Sequence, residues 1–230
     1  MKKTKFISIT NYIKDIIKSS PFNLHTYICG GGVRDFVMGN EIKDIDLVID
    51  IGNGGVEFAK FCMDSNLLTH DVVIFERFGT AMFSFKAFPD EQIECVMTRG
   101  EKYPDRNSRN PETVFASIED DCIRRDLTIN ALYYNISTGE IVDMVGGLND
   151  IENKVIRTTN ENPDIVFDDD ALRILRTVRF ATRYGWDIES KTYESMKRYV
   201  DRLEIISKER IKDEFNKILL SENASIGIRT

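Results

Sequence analysis

Histidine is scarce in this chain, and cysteine is never grouped as a metal site would need. His25 and His70 are the only two histidines. His70-Asp71 spells a dipeptide used by metal phosphohydrolases, but such a site needs further His and Asp ligands, so both read as structural. Cys29, Cys62, Cys95 and Cys122 contain no CxxC pair. That spacing argues against zinc and gives no disulfide framework, leaving buried free thiols. No run approaches the roughly 18 apolar residues of a membrane span. No apolar stretch follows the basic start Met1-Lys-Lys-Thr-Lys, so no signal peptide is expected and a cytoplasmic location follows. There is no GxGxxG and no GK[ST], which removes the dinucleotide fingerprint and the P-loop. Positive charge is also short: the formal net charge is −7, a poor basis for holding nucleic acid through bulk charge. Arg173, Arg176, Arg179 and Arg183 form one local basic cluster and Lys208, Arg210 and Lys212 a weaker one, though a solvated helix face looks the same.

What is present supports a packed protein. With 230 residues, 42% hydrophobic and 10% aromatic, the chain suffices for one large domain or two small ones. Phe6, Ile13, Ile16 and Ile17 predict a helix over 5–19. A short strand at 26–29 runs into Gly30-Gly31-Gly32, which opens a helix over 33–38. Residues 44–50 alternate charged and apolar, the pattern of a half-buried strand. A glycine-rich loop leads to a helix over 56–64, then strands at 72–75, 80–85 and 92–97. Residues 99–117, with Pro104 and Pro111 and no apolar period, read as a long mobile loop. From Ile118 the pattern becomes mainly helical, with a strand at 141–142, an extended piece at 153–156, and helices over 168–184, 190–202 and 208–219. The expected architecture is an α/β front of about 140 residues and a helical back.

Asp44-Ile45-Asp46 is the sharpest local feature. On a strand, residues i and i+2 share a face, so the two carboxylates project side by side and repel unless a cation lies between them. Hard oxygen ligands suit Mg²⁺, which shares its shell with substrate phosphates. Taken alone, the pair is also what a solvated strand end looks like. Glu94 is the only charge in the apolar run Ile93-Glu94-Cys95-Val96 and offers a third carboxylate, although an edge-strand charge reads the same way. The glycine turn before a helix lets backbone N–H groups approach phosphate, and Arg34 lies within reach of a triphosphate.

Gly30-Gly31-x-Val33-Arg34-Asp35 followed by Asp44-x-Asp46 resembles the signature of the polymerase-beta-like nucleotidyltransferases, and more narrowly that of class II CCA-adding enzymes and bacterial poly(A) polymerases. Four further blocks agree in order. Arg124-Arg125-Asp126-Leu127-Thr128-Ile129-Asn130-Ala131 resembles RRDFTINA. Asp143-Met144-Val145-Gly146-Gly147 resembles DPxGG, with Met144 in the place of proline. Asp169-Asp170-Ala171-Leu172-Arg173-Ile174-Leu175-Arg176 resembles EDxxRxxR, with Asp169 in the place of glutamate. Glu209-Arg210-Ile211-Lys212-Asp213-Glu214 resembles ERxxxE. Together they span roughly residues 25–220 of the chain.

The resemblance implies an α/β (α+β) nucleotidyltransferase head with a mixed sheet over 1–140 and an all-helical neck over 141–230, with the family's body and tail domains absent. It implies Asp44 and Asp46 as the catalytic carboxylates and CTP and ATP as substrates, while Mg²⁺ on that pair and Glu94 as a further catalytic carboxylate come from the strand pattern itself. Nucleotide contacts fall to Gly31, Gly32, Arg34, Arg124, Asn130, Asp170, Arg173, Arg176 and Arg179. The acceptor is the 3′ end of tRNA, and no membrane is involved. Asp170 and Arg173, at i and i+3 of a helix, would read the base: the carboxylate accepts from the amino group of cytosine or adenine, the guanidinium donates to ring acceptors, and guanine and uracil are refused. Arg179 either touches phosphate or supports its helix, and Asp126 and Asn130 equally fit helix capping. Glu209, Arg210 and Glu214 are expected to brace helices through ion pairs. Residues 99–117 match the family's flexible loop, implicated in switching from C to A addition. A poly(A) polymerase or A-only adding enzyme shares every one of these motifs. A remnant that binds RNA without activity is the alternative from another class.

Overall fold

The computed structural model describes residues 1–102 and 112–230. They fall into two compact units. The first comprises Met1–Cys122 with Leu132–Asp143, the second Ile123–Ala131 with Met144–Thr230.

The first unit opens with helix α1 (Lys3–Ile17), whose buried Phe6, Ile9, Ile13 and Ile17 form one apolar stripe. Strand β1 (Thr26–Cys29), helix α2 (Gly31–Val37), strand β2 (Ile45–Ile49) and helix α3 (Gly54–Asp64) follow. Then come β3 (Val73–Phe75), β4 (Thr80–Phe83), β5 (Ile93–Met97), β6 (Arg99–Lys102), β7 (Glu112–Phe115), helix α4 (Ile118–Ile123), β8 (Leu132–Asn135) and β9 (Ile141–Asp143). Seven strands make one mixed sheet in the order β3-β4-β5-β2-β1-β8-β9. Only β2 and β5 run parallel; every other neighbouring pair is antiparallel. The alternation along β2 and β5 puts Ile45, Leu47, Ile93 and Cys95 inside, opposite the charged positions. Phe58 of α3 lies against Phe22 and Phe83 at centroid distances of 5.2 and 6.2 Å, an aromatic core under the sheet.

Two expectations fail here. Residues 99–102 and 112–115 pair as an antiparallel ribbon, so the ends of the expected loop are ordered strands; its middle lies outside the described residues. The expected helical stretch after Ile118 instead holds β8, an interior strand of the sheet. Leu132-Tyr133-Tyr134-Asn135 is rich in aromatic residues that fit a pleated surface, and the turn at Gly139 (φ +78°) returns the chain into β9.

The second unit contains α5 (Gly147–Asn153), β10 (Val155–Ile156), α6 (Pro163–Asp169), α7 (Leu172–Tyr184), β11 (Asp187–Ile188), α8 (Ser190–Tyr199), α9 (Lys208–Leu219) and α10 (Ala224–Arg229). It is helical apart from a two-residue parallel pair between β10 and β11. Asn162 caps α6 through Asp164 N–H with Pro163 in the first turn, and Ser207 caps α9 through Arg210 N–H, the residues these positions favour. Phe167, Ile174, Val178, Met196 and Ile218 form its core. Among the described residues no helix is long and apolar enough to cross a membrane.

Candidate active site

The carboxylates of the first unit are placed by strand register. Asp46 of β2 and Glu94 of β5 are direct partners in the parallel ladder, so their side chains leave the same face of the sheet. Their Cα atoms are about 4.8 Å apart, the spacing of neighbouring strands. Asp44 stands one residue before β2 begins. It is exposed, as is Glu94, while Asp46 is half-buried. The structure brings Asp46 and Glu94 together on adjacent strands, with Asp44 at the approach to β2.

The glycine turn abuts this group. Gly30 has φ +67° and ψ −132°, a conformation open to glycine alone. A Cβ on Gly32 would lie 3.0 Å from the carbonyl oxygen of Asp44, so the absence of a side chain lets α2 approach the lead into β2. Arg34 is buried, and its Nε and Nη2 donate to the two oxygens of Asp35, each at 3.0 Å. This two-pronged pairing holds the guanidinium.

The donor set is made of hard oxygens, the chemistry that suits Mg²⁺. Among the described residues no three His, Cys, Asp or Glu side chains gather closely enough to hold a metal by themselves. A cation at Asp44 and Asp46 would complete its shell from phosphate and water, as Mg²⁺ commonly does. All four cysteines are buried, and burial pushes the Cys62 thiol up to about 12 and the Cys95 thiol well above its ordinary value, so neither of these two is a thiolate ligand at neutral pH.

In the second unit the basic cluster of α7 is engaged in pairs. Asp126 is buried; its Oδ1 accepts from Leu127 N–H at 2.8 Å and from the Asn130 amide at 3.1 Å. Its Oδ2 accepts from Arg176, with Nε at 2.7 Å and Nη2 at 2.6 Å. Burial alone would raise the Asp126 pKa, but the Arg176 charge and these hydrogen bonds outweigh it and hold the carboxyl below its ordinary value. Asp126 in turn raises the pKa of Arg176. Arg179 donates to Glu214 at 2.6 Å and lies 4.2 Å over the Phe180 ring. Burial lowers its pKa despite that partner. Arg124 is half-buried, two residues before Asp126.

The expected geometry of Asp170 and Arg173 is corrected. The predicted helix over 168–184 is broken: α6 ends at Asp169, and Asp170 is extended (φ −148°, ψ 104°). The two residues therefore do not sit as i and i+3 on one helix face. Asp170 Oδ1 instead accepts from Leu172 N–H at 3.0 Å, the local competition with helix that short acidic side chains favour. Asp170 Oδ2 accepts from Arg210 at 2.8 Å. Arg173 is 9% exposed; it donates to the Val166 carbonyl at 3.3 Å and lies 3.9 Å from Asp169.

Sequence reading missed two residues. Arg210 was expected only to brace helices, yet it grips Asp170 itself. Asp121 drew no reading from the sequence; it is buried, accepting from Tyr133 Oη at 2.5 Å and from Arg99 N–H at 3.1 Å, which pins the start of β6. Nothing in the acidic run distinguishes it. A cleft of about 500 Å³ in the second unit is lined by Ile123, Met144 and residues 157–161 and contains none of the sequence-predicted site residues.

Residues 26–157 match the family model of the poly A polymerase head domain, and residues 185–230 match that of the probable RNA and SrmB-binding site of polymerase A. The chain is 36% identical to the CCA-adding enzyme of Bacillus pumilus over 193 residues, covering 84% of this chain and 45% of that one. It is 33% identical to the CCA-adding enzyme of Enterococcus faecalis over 229 residues, covering 97% and 53%. Among solved structures, an apo form of a CCA-adding enzyme superposes with a TM-score of 0.83 at 31% identity, covering 98% of this chain and 51% of that one. The Thermotoga maritima CCA-adding enzyme complexed with tRNA gives 0.79 at 30% identity, covering 98% and 50%. The chain thus spans about half the length of the curated relatives it matches.

Proposed function

Because this chain belongs to the family of the poly A polymerase head domain, we propose that it is a template-independent nucleotidyltransferase that adds CMP and AMP, from CTP and ATP, to the 3′ end of tRNA. The observation that carries this reading is the placement of Asp46 and Glu94 as ladder partners, with Asp44 at the foot of the same strand. The relatives named as CCA-adding enzymes support the choice of substrates, and the reaction belongs with the tRNA pool of the cytoplasm.

In this reading the RNA 3′-hydroxyl attacks the α-phosphorus, a new 3′-O–P bond forms, the bond to the β-phosphate oxygen breaks, and pyrophosphate leaves. Mg²⁺ held by Asp44 and Asp46 would offset charge on the attacking and leaving oxygens. Gly32 sets the position of Asp44, and Gly31 with Arg34 borders the triphosphate. Glu94, beside Asp46, orients the attacking hydroxyl. Arg124 and Asn130 contact the nucleotide and its sugar, with Arg176 and Arg179 holding the surrounding frame as well as facing phosphate. Asp170 and Arg173 choose the base by hydrogen bonding, and Arg210 fixes the Asp170 carboxylate for that purpose.

The test offers each NTP singly, with Mg²⁺, to tRNAs ending before CCA, after one C and after CC. Addition of C, C and then A supports the proposal. A alone after CC indicates an A-adding enzyme, and long A tracts a poly(A) polymerase. Asp46→Ala should abolish transfer with the melting temperature retained; an unchanged rate removes the metal reading.

A further inference from the structure

The face of the sheet that carries the carboxylates continues to an exposed edge. Asp46 pairs with Glu94, Glu94 with Met82, and Met82 with Val73. These four residues form one row across β2, β5, β4 and β3, and ladder partners share a face. Phe75 lies two residues along from Val73 and so on that same face. A short turn after β3 brings Phe78, with the Arg77 guanidinium 5.8 Å from its ring. This strip does not behave as a core: Val73, Phe75 and Phe78 are 48, 43 and 47% exposed, and Met82 is half-buried. Strand β3 is the sheet's edge. Three large apolar side chains on an unpaired edge are a liability that proteins normally blunt with charge, which makes their retention here informative.

We propose that the strip Val73–Phe75–Phe78, with Met82 and Arg77, is a stacking platform for the unpaired 3′-terminal nucleotides of the acceptor RNA. The proposal rests on the transfer reading of Asp46 given above and names the surface that presents the RNA to it. Three strand spacings separate Asp46 from Val73, about 14 Å. That distance suits the second and third nucleotides from the 3′ end when the terminal hydroxyl lies at Asp46. Aromatic faces beside an arginine accept any base, since every base offers a π face and the guanidinium adds cation–π attraction. The chemistry is sequence-tolerant, as an acceptor that changes its own terminal sequence with each addition requires. A duplex would not fit the strip, because its bases are stacked on each other and offer no faces.

The test uses the full chain and a short RNA with a photoreactive thiopyrimidine at the second or third position from its 3′ end. Cross-linking should map to residues 73–82. Phe75→Ala/Phe78→Ala alters only exposed side chains, and its thermal melt checks that it folds. It should weaken binding of the same RNA at least tenfold, since loss of even one stacked base costs about that, and raise the acceptor KM equally while the KM for NTP stays constant. Cross-linking elsewhere, or unchanged RNA affinity in the folded double variant, overturns the platform. So does a change in self-association without a change in RNA affinity, which would make the edge a contact between copies. Cross-linking at 73–82 in a protein that transfers no nucleotide leaves the platform standing and removes the transfer reading. Asp46-dependent transfer with an unaffected double variant does the reverse.

Discussion

Arg176→Met is the perturbation whose consequence is best defined. The substitution keeps most of the side chain's apolar stem while removing the charge that faces the buried Asp126. The pair is two-pronged, at 2.7 and 2.6 Å, and Asp126 is 7% exposed. Removing one partner of a buried pair strands the other, at a cost of about 3–5 kcal/mol. The Arg176 side chain is 35% exposed, so water screens part of the interaction and the lower end, about 3 kcal/mol, is expected. Trp186 is the only tryptophan, and it lies in the same unit as the pair. Its fluorescence therefore reports unfolding of the relevant part. With a urea m-value of about 2 kcal/mol/M, the midpoint should fall by roughly 1.5 M. The pH dependence supplies the sharper check. In the parent protein Asp126 titrates below its unfolded value; its contribution is present above the unfolded pKa and is lost as pH falls through the folded one. Without Arg176, burial dominates and the carboxyl takes up a proton more readily, so the gap between variant and parent should be widest at neutral pH and close below about pH 4. Asp126→Asn/Arg176→Met should recover part of the loss. A midpoint shift under about 0.3 M, or one constant from pH 7 to pH 4, would refute the assignment of Arg176 as Asp126's structural counter-ion.

Other outcomes follow from the same geometry. Gly32→Ala places a methyl 3.0 Å from the Asp44 carbonyl; displacing Asp44 by a few tenths of an ångström should slow single-turnover transfer about tenfold, with NTP affinity measured in parallel and little altered. Arg210→Met frees the Asp170 carboxylate and should narrow the preference for CTP and ATP over GTP and UTP about tenfold; preserved discrimination in competition assays would remove Arg210 from base choice. The four buried cysteines should resist a thiol reagent at pH 8 in native protein and all react in denaturant, and rapid native labelling of Cys62 would contradict its burial.

The strands around the site were legible because their chemistry is local. The alternation at residues 44–47 and 92–97 reflects one buried and one more open face, although Val48 is buried on the side of Asp46, and it gave the carboxylate positions directly. That Asp46 and Glu94 are neighbours was not legible, since parallel pairing joins residues 48 positions apart and leaves no mark in either strand. Strand β8 was missed because it directly follows a segment that resembles a helical block, although its two tyrosines and the turn before β9 were available signals. The break at Asp170 was concealed by an apolar period that continues through it; only the side chain's bond to Leu172 N–H marks the interruption. Partner choice among the arginines was invisible for the same reason as register. Arg176 and Arg179 look alike in sequence, yet one meets Asp126 and the other Glu214.

The division of the chain into units also bears on synthesis. Residues 123–131 belong to the second unit, while Leu132–Asp143 return to the first and supply β8 and β9, which complete the sheet beyond β1. A nascent chain emerging from the ribosome therefore cannot close its first unit until residue 143 is free, and by then it has already released nine residues destined for the other. A cut after Ala131 splits both units, whereas one after Cys122 leaves the second whole and one after Asp143 leaves the first whole. Gene fragments that stop before Leu132 would leave β1 as a raw edge, whereas one that stops after Asp143 carries every strand of the sheet.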